Sequence, residues 1–162
     1  MEKIAAIPAS RIAYVDECGI GKYIYREYGW SPRGEKIQGI ISGRKYKRVG
    51  VVAAQIGKEI VAPLQYDGAM DSILFETWFE QRLLPSLPAK SVIVMDNATF
   101  HRKSRLIPLA NGSGHDIIFL PPYSPELNPI ENFWSWLKRR LKKVISRFHS
   151  LDDAISDSFN LI

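Results

Sequence analysis

Two short apolar runs restrict the fold of this chain more than any other feature of its sequence. The runs SVIVMD (91–96) and DIIFL (116–120) are continuous and rich in β-branched residues. Such runs are typical of strands buried on both faces, which occur mainly in parallel sheets covered by helices on each side. Between them, residues 101–111 predict a short helix that ends at Asn111-Gly112. The unit is therefore a strand–helix–strand crossover, which is right-handed in nearly all proteins.

The chain upstream of this unit predicts a different arrangement of strands. Residues 11–17 form an apolar run that ends in two acids, and residues 22–30 alternate after a glycine-containing turn, so we expect these two strands to form a hairpin. Residues 46–56 predict a third strand, whereas residues 60–68 predict only a short, proline-interrupted segment before a turn. From Asp71 onwards the apolar period becomes that of a helix.

The C-terminal part of the sequence predicts two more helices. The longer one runs from about Pro129 to Phe148, and the last one opens at Ser150. Together the elements predict a single α/β domain over residues 1–162. Its mixed five-stranded sheet has three antiparallel strands followed by parallel strands, with helices on both faces.

Composition and charge exclude several classes of protein. No apolar run approaches the roughly 20 residues that span a bilayer, and the N-terminus lacks the regions of a signal peptide, so we expect a cytoplasmic protein. The single cysteine, Cys18, excludes an internal disulfide and fits a reducing compartment. The net charge is +5, and basic residues gather at 43–48 and 138–143, which favours a polyanionic partner.

Two acids stand at the ends of predicted strands. Asp16 ends the first strand and Asp96 ends the apolar run at 91–96. Ligands of α/β sheets gather at the carboxyl ends of strands, and an acid at such a place costs free energy unless it is paired or binds a cation. The alternative is that each acid only stops its strand and caps the next turn.

A third acid, Glu131, follows a stiff segment. Residues 121–129 contain four prolines, after which the sequence becomes amphipathic. Asn128 suits the N-cap, Pro129 the first helical position, and Glu131 would complete a variant of the capping box. A capping box explains the start of the helix but does not require the prolines. Their rigidity suits a carboxylate that has to keep its place, so both interpretations stay open.

The predicted long helix also carries a polar row of four residues: Glu131, Ser135, Lys138 and Lys142. A row with two lysines is usually a solvated face, but it would also suit a phosphodiester backbone. Three acids without a suitable Cys/His cluster favour a hard, oxygen-binding cation, Mg²⁺ or Mn²⁺. Two such ions could activate a water or a 3′-hydroxyl for in-line displacement at phosphorus.

Three sequence blocks carry a family resemblance: YVDE, VIVMDNATFH and LPPYSPELNPIENFWSWLK. They resemble the catalytic domain of bacterial insertion-sequence transposases of the Tc/mariner-like superfamily, over nearly the whole chain. The resemblance implies an RNase H-like fold and an Asp-Asp-Glu site with two metal ions. It assigns the three metal ligands to Asp16, Asp96 and Glu131. The separation of Asp96 and Glu131 in the sequence is also typical of the family.

The resemblance further implies DNA as the partner, both as transposon ends and as target, and a homodimer as the active complex. His101 and Asn97 match the second block and are expected near the site or the DNA, although His101 could simply be a polar residue that opens the next helix. Full-length members carry helix-turn-helix modules that this chain lacks, so we expect a fragment or a separately encoded DNA-binding half. The residues expected to contact DNA are Arg44, Lys45, Lys47, Asn97, His101, Ser135, Lys138, Arg139 and Lys142.

Two other functions stay open at this point. One is a nuclease of the same fold that cleaves DNA without joining it. The other is a catalytically idle DNA-binding remnant of a transposon. The acids nearest to the proposed ligands are Glu17, Asp116 and Glu126. Glu17 alternates away from Asp16, Asp116 starts its strand, and Glu126 lies in the proline-rich loop.

Overall fold

The computed structural model describes residues 7–21, 48–121 and 127–161. Its sheet has five strands: β1 (Ile12–Gly21), β2 (Arg48–Ile56), β3 (Glu59–Asp67), β4 (Val92–Met95) and β5 (Asp116–Phe119). Their order across the sheet is β3-β2-β1-β4-β5. β2 is antiparallel to both β1 and β3, whereas β4 runs parallel to both β1 and β5. The predicted mixed sheet is therefore confirmed.

The third antiparallel strand differs from the prediction. The strand expected at 22–30 lies outside the described residues, and within them the antiparallel partner of β1 is β2. The segment expected to be short is the full strand β3. Its Pro63 is exposed on a strand at the edge of the sheet, where a missing N–H donor removes no bond to a neighbouring strand.

In the ranges that the structure describes, four helices accompany the sheet: α1 (Ser72–Trp78), α2 (Lys103–Gly112), α3 (Ile130–Val144) and α4 (Leu151–Phe159). Asp71 caps α1, since its side chain accepts a hydrogen bond from the Leu74 N–H at 2.8 Å, and Ser150 caps α4 in the same way. Helix α1 continues through a π-helical turn (Phe79–Leu83) and a final turn (Leu84–Ser86).

Both faces of the sheet are covered, as predicted. On one face, Ala13 and Val15 of β1 pack against α1 and α2. On the other face, Cys18 and Ile20 pack against α3 and α4. Because successive side chains of a strand point to opposite faces, Asp16 faces α3, whereas its neighbour on the strand faces α1 and α2. No helix in the described ranges is long and apolar enough to cross a bilayer.

Candidate active site

Asp16 was expected to end the first strand, but β1 continues to Gly21, so Asp16 lies in the middle of the strand, where α3 contacts it. The indole Nε1–H of Trp134 donates a hydrogen bond of 2.9 Å to Asp16 Oδ2. Burial raises the pKa of Asp16 to about 7, and the charges of Glu17 and Glu131 add to the rise. Trp134 was not among the predicted site residues. Its contact with Asp16 makes it part of the site.

Asp96 is the first residue after β4. The parallel register pairs Tyr14 with Val94, so continuing it by two residues sets Asp96 level with Asp16 on the neighbouring strand. Both acids line one open cleft of about 790 Å³. Asp96 Oδ1 accepts hydrogen bonds from the Ala98 N–H (3.0 Å) and from His101 Nδ1 (3.0 Å). The bond from His101 is the main reason why the pKa of Asp96 is lowered.

Glu131 lies in the first turn of α3 and is exposed. Its charge contributes to the raised pKa of Asp16, and Trp134, three residues further along α3, contacts Asp16 directly. The start of α3 is attached to β1 through Asn128, which is buried and donates from Nδ2 to the carbonyl oxygen of Val15 at 3.2 Å. The contact reaches the residue immediately before Asp16, so it fixes the helix start relative to that carboxylate.

The expected N-cap role of Asn128 is wrong. The residue before the first turn of α3 is Pro129, and no side chain caps this helix end. Asn128 contributes only its backbone oxygen to the turn, which accepts from the Glu131 N–H at 3.2 Å. Its amide nitrogen donates to β1, and its Oδ1, the atom that an N-cap would use, is buried without a hydrogen-bond partner in the described residues.

The structure does not draw all three acids into one cluster. Within the described parts of the chain, no group of three His, Cys, Asp or Glu side chains is close enough to hold a metal ion. Asp96 is turned towards His101, and Glu131 is exposed on α3. Asp16 and Asp96 therefore share a cleft, and Glu131 lies near Asp16 without joining them.

Glu17 was left out of the predicted site, and the structure places it beside that site. Its Oε1 lies 3.1 Å from Nε2 of His101, in the segment that precedes α2, and it lines the same cleft as Asp16. Burial alone would lower the pKa of His101, but hydrogen bonds and charges of Asp96 and Glu17 raise it to about 9. His101 is thus a buried residue bridging two acids. The second acid of YVDE and the histidine of VIVMDNATFH were the available signal.

The expected DNA-binding residues have different positions. Ser135, Lys138, Arg139 and Lys142 are exposed on α3, and Asn97 is exposed next to Asp96. Burial raises the pKa of Cys18, two residues beyond Asp16 on β1, and the charge of Lys138 opposes this rise. The polar row of α3 therefore begins at the acids and continues along the helix. His101 is buried, whereas Arg44, Lys45 and Lys47 lie outside the described residues.

Two further acids, Asp116 and Glu126, are near the proposed ligands in the sequence. Asp116 is exposed at the start of β5, which is the opposite end of the parallel strands from Asp96. Glu126 lies outside the described residues. Asp116 is therefore separated from the cleft by the length of a strand.

Comparison with known proteins identifies the class. Residues 11–155 match the family described as DDE superfamily endonuclease, and the chain belongs to that family. An uncharacterised protein of Sinorhizobium fredii, y4pE/y4sA, is 40% identical over 60 residues, which cover 34% of this chain and 42% of that protein.

Solved structures show the fold. The Mos1 transposase paired-end complex with the left transposon end matches with a TM-score of 0.68 at 13% identity, over 95% of this chain and 52% of that chain. The Mos1 catalytic domain with raltegravir and Mg matches with a TM-score of 0.59 at 14% identity, over 95% and 78%. The catalytic core of BIV integrase matches with a TM-score of 0.51 at 14% identity, over 91% and 79%.

These matches confirm the predicted RNase H-like fold. This chain spans about half the length of the Mos1 chain in the paired-end complex.

Proposed function

We propose that this chain is the catalytic domain of a DNA transposase, which cuts DNA and joins the resulting 3′-end to a target. Asp16, Asp96 and Glu131 are its catalytic carboxylates. The observation that carries the proposal is the level placement of Asp16 and Asp96 in one open cleft, with Glu131 near enough to perturb Asp16. Membership of the DDE superfamily endonucleases supports phosphodiester chemistry at this cleft.

The chemistry of the cleft fits divalent cations. The raised pKa of Asp16 reflects burial and two neighbouring negative charges, and a bound cation would relieve this repulsion. The donors are carboxylate oxygens, which Mg²⁺ and Mn²⁺ prefer. We propose two ions, held by Asp16, Asp96 and Glu131. When bound, they would supply the Lewis acidity that activates the attacking hydroxyl and stabilises the leaving oxygen.

The side chains of the site have separate tasks in this reaction. Trp134 keeps the Asp16 carboxylate in one orientation through its N–H. Asn128 fixes the first turn of α3 against β1, so that Glu131 approaches the cleft from a set position. Such positioning is a large part of catalysis in phosphoryl transfer, where the protein does little covalent chemistry itself.

The substrate would lie along the polar row of α3. We propose that Ser135, Lys138, Arg139 and Lys142 contact phosphates, because these exposed groups follow Glu131 along one helix. Asn97 is exposed next to Asp96 and would add a contact there, and Arg44, Lys45 and Lys47 would add further cations. Transposition also needs two DNA ends, which favours a homodimer and a helix-turn-helix module supplied by a longer or separate chain.

The test combines a cutting assay with a joining assay. The purified protein is incubated with plasmid and Mn²⁺ to measure nicking, and with pre-cut duplex ends from the flanks of its own coding sequence to measure joining. Asp16→Asn, Asp96→Asn and Glu131→Gln should each abolish both activities, whereas Glu80→Gln, an exposed acid on the π-helical turn, should leave them unchanged.

Two outcomes would replace the proposal. Nicking that needs the three acids but is never accompanied by joining would show a nuclease. DNA binding without either activity would show a catalytically idle remnant. Normal cutting by Glu131→Gln would remove that residue from the site.

A further inference from the structure

A buried chain of hydrogen bonds leads from β1 to Asp96. Glu17 Oε1 lies 3.1 Å from Nε2 of His101, and the opposite ring nitrogen, Nδ1, lies 3.0 Å from Asp96 Oδ1. Nδ1 is also 3.3 Å from the backbone oxygen of Asp96. Ionised carboxylates and carbonyl oxygens only accept hydrogen bonds, so both ring nitrogens have to donate.

The two ends of this chain differ in exposure. The side chain of His101 is 1% exposed and that of Glu17 is 13% exposed, whereas that of Asp96 is 53% exposed. Water competes for the Asp96 carboxylate, but it has little access to Glu17. A partly buried carboxylate also loses much free energy without its partner. The hydrogen bond between Glu17 and His101 is therefore the more firmly held of the two.

Aromatic rings restrict the imidazole without orienting its hydrogen bonds. The centroid of the His101 ring lies 4.2 Å from that of Phe75 and 4.6 Å from that of Phe100. These contacts confine the ring sterically. The rotation that points Nδ1 at Asp96 depends on the partner of the opposite nitrogen, as in other sites where a carboxylate fixes a histidine.

We propose that Glu17 is a positioning residue, which acts through His101 to hold the carboxylate of Asp96 at the edge of the cleft. Glu17 does not touch the reacting atoms. The inference rests on the proposed function in one respect, since Asp96 is taken as a metal ligand. Loss of a hydrogen-bonding partner behind a ligand typically weakens metal binding by about 10- to 100-fold.

The experiment measures Mn²⁺ binding by calorimetry in four proteins: the parent, Glu17→Met, His101→Gln and the double variant. Glu17→Met keeps an unbranched side chain of similar length but removes the acceptor for His101 Nε2–H, so it should weaken Mn²⁺ binding about 10- to 100-fold. In the His101→Gln background the same change should have little further effect, because the route to Asp96 is already interrupted. Full additivity would show that Glu17 acts on the ion directly, and it would overturn the proposal. Glu80→Met makes the same change at an exposed acid elsewhere and should bind Mn²⁺ like the parent.

A second readout needs no metal. The ¹⁵N-histidine spectrum of the parent should show protected Nδ1–H and Nε2–H protons of His101, assigned by their loss in His101→Gln. Glu17→Met should alter the Nδ1–H signal, although that proton faces Asp96. An unchanged Nδ1–H signal would overturn the positioning role. If the parent binds no Mn²⁺, the proposed metal site fails, and the Nδ1–H response alone still decides the role of Glu17.

Discussion

Replacing Asp16 by asparagine should make the metal-free protein more stable. The carboxyl of Asp16 has a pKa raised from 3.8 to about 7, so the folded state disfavours its charge above that pH. The amide has the same shape and can still accept the hydrogen bond from Trp134. The substitution therefore removes an unfavourable charge with little change of packing.

The magnitude follows from the two pKa values. The difference between 3.8 and about 7 corresponds to about 4 kcal/mol of unfolding free energy. Because Asp16 keeps some contact with water, solvent screening reduces this figure, and we expect about 2–4 kcal/mol. The pKa of Asp16 is higher in the folded state than in the unfolded state. The parent protein therefore has its full stability below about pH 4 and loses about 2–4 kcal/mol as the pH rises through 7.

The assay is urea unfolding of the parent and Asp16→Asn from pH 4 to pH 9, in the presence of EDTA. The variant should gain its advantage between pH 4 and pH 7 and keep it above pH 7. Asp116→Asn changes an exposed acid at the other end of the sheet and should show no such gain. An advantage of equal size at pH 4 and pH 8, or no advantage at all, would refute this account of Asp16.

Three further changes have specific expected results. The pKa of His101 is raised to about 9, so the stabilisation that its charged form provides is present below about pH 6.5 and is lost as the pH rises through 9. In urea unfolding, His101→Gln should therefore be less stable than the parent at low pH, and the difference should shrink over this range. Trp134→Phe removes a hydrogen bond that lowers the pKa of Asp16, so the acid limb of the pH profile of DNA cutting should move to higher pH. Asn128→Ala leaves a buried carbonyl of β1 without its donor and should lower the free energy of unfolding by about 1–3 kcal/mol. The control is Asn132→Ala, which changes an exposed residue in the first turn of α3 and should have little effect on the urea midpoint.

The sheet could be predicted where local pattern and burial agree. The runs at 91–96 and 116–120 are apolar on both faces and became the parallel strands β4 and β5. The segment at 60–68 was underestimated because Pro63 argues against a central strand. Its position at the edge of the sheet, which no local pattern reveals, made the proline harmless.

The partners of the site residues could not be predicted in the same way. Asn128 carries a good N-cap pattern, but a carbonyl of β1 far away in sequence takes its amide. Glu17 does point away from Asp16, as strand alternation requires, yet it meets His101 on that other face. Both contacts join residues that are distant in the chain, so they depend on how the layers pack rather than on local sequence.

The central claim is that Asp16, Asp96 and Glu131 hold the catalytic cations. The most direct measurement is the anomalous scattering of a crystal soaked in Mn²⁺. The account predicts Mn²⁺ peaks bounded by these three carboxylates, with Asp96 still hydrogen-bonded to His101. Peaks at other acids, or a soaked cleft without Mn²⁺ and with Glu131 directed away from Asp16, would contradict it.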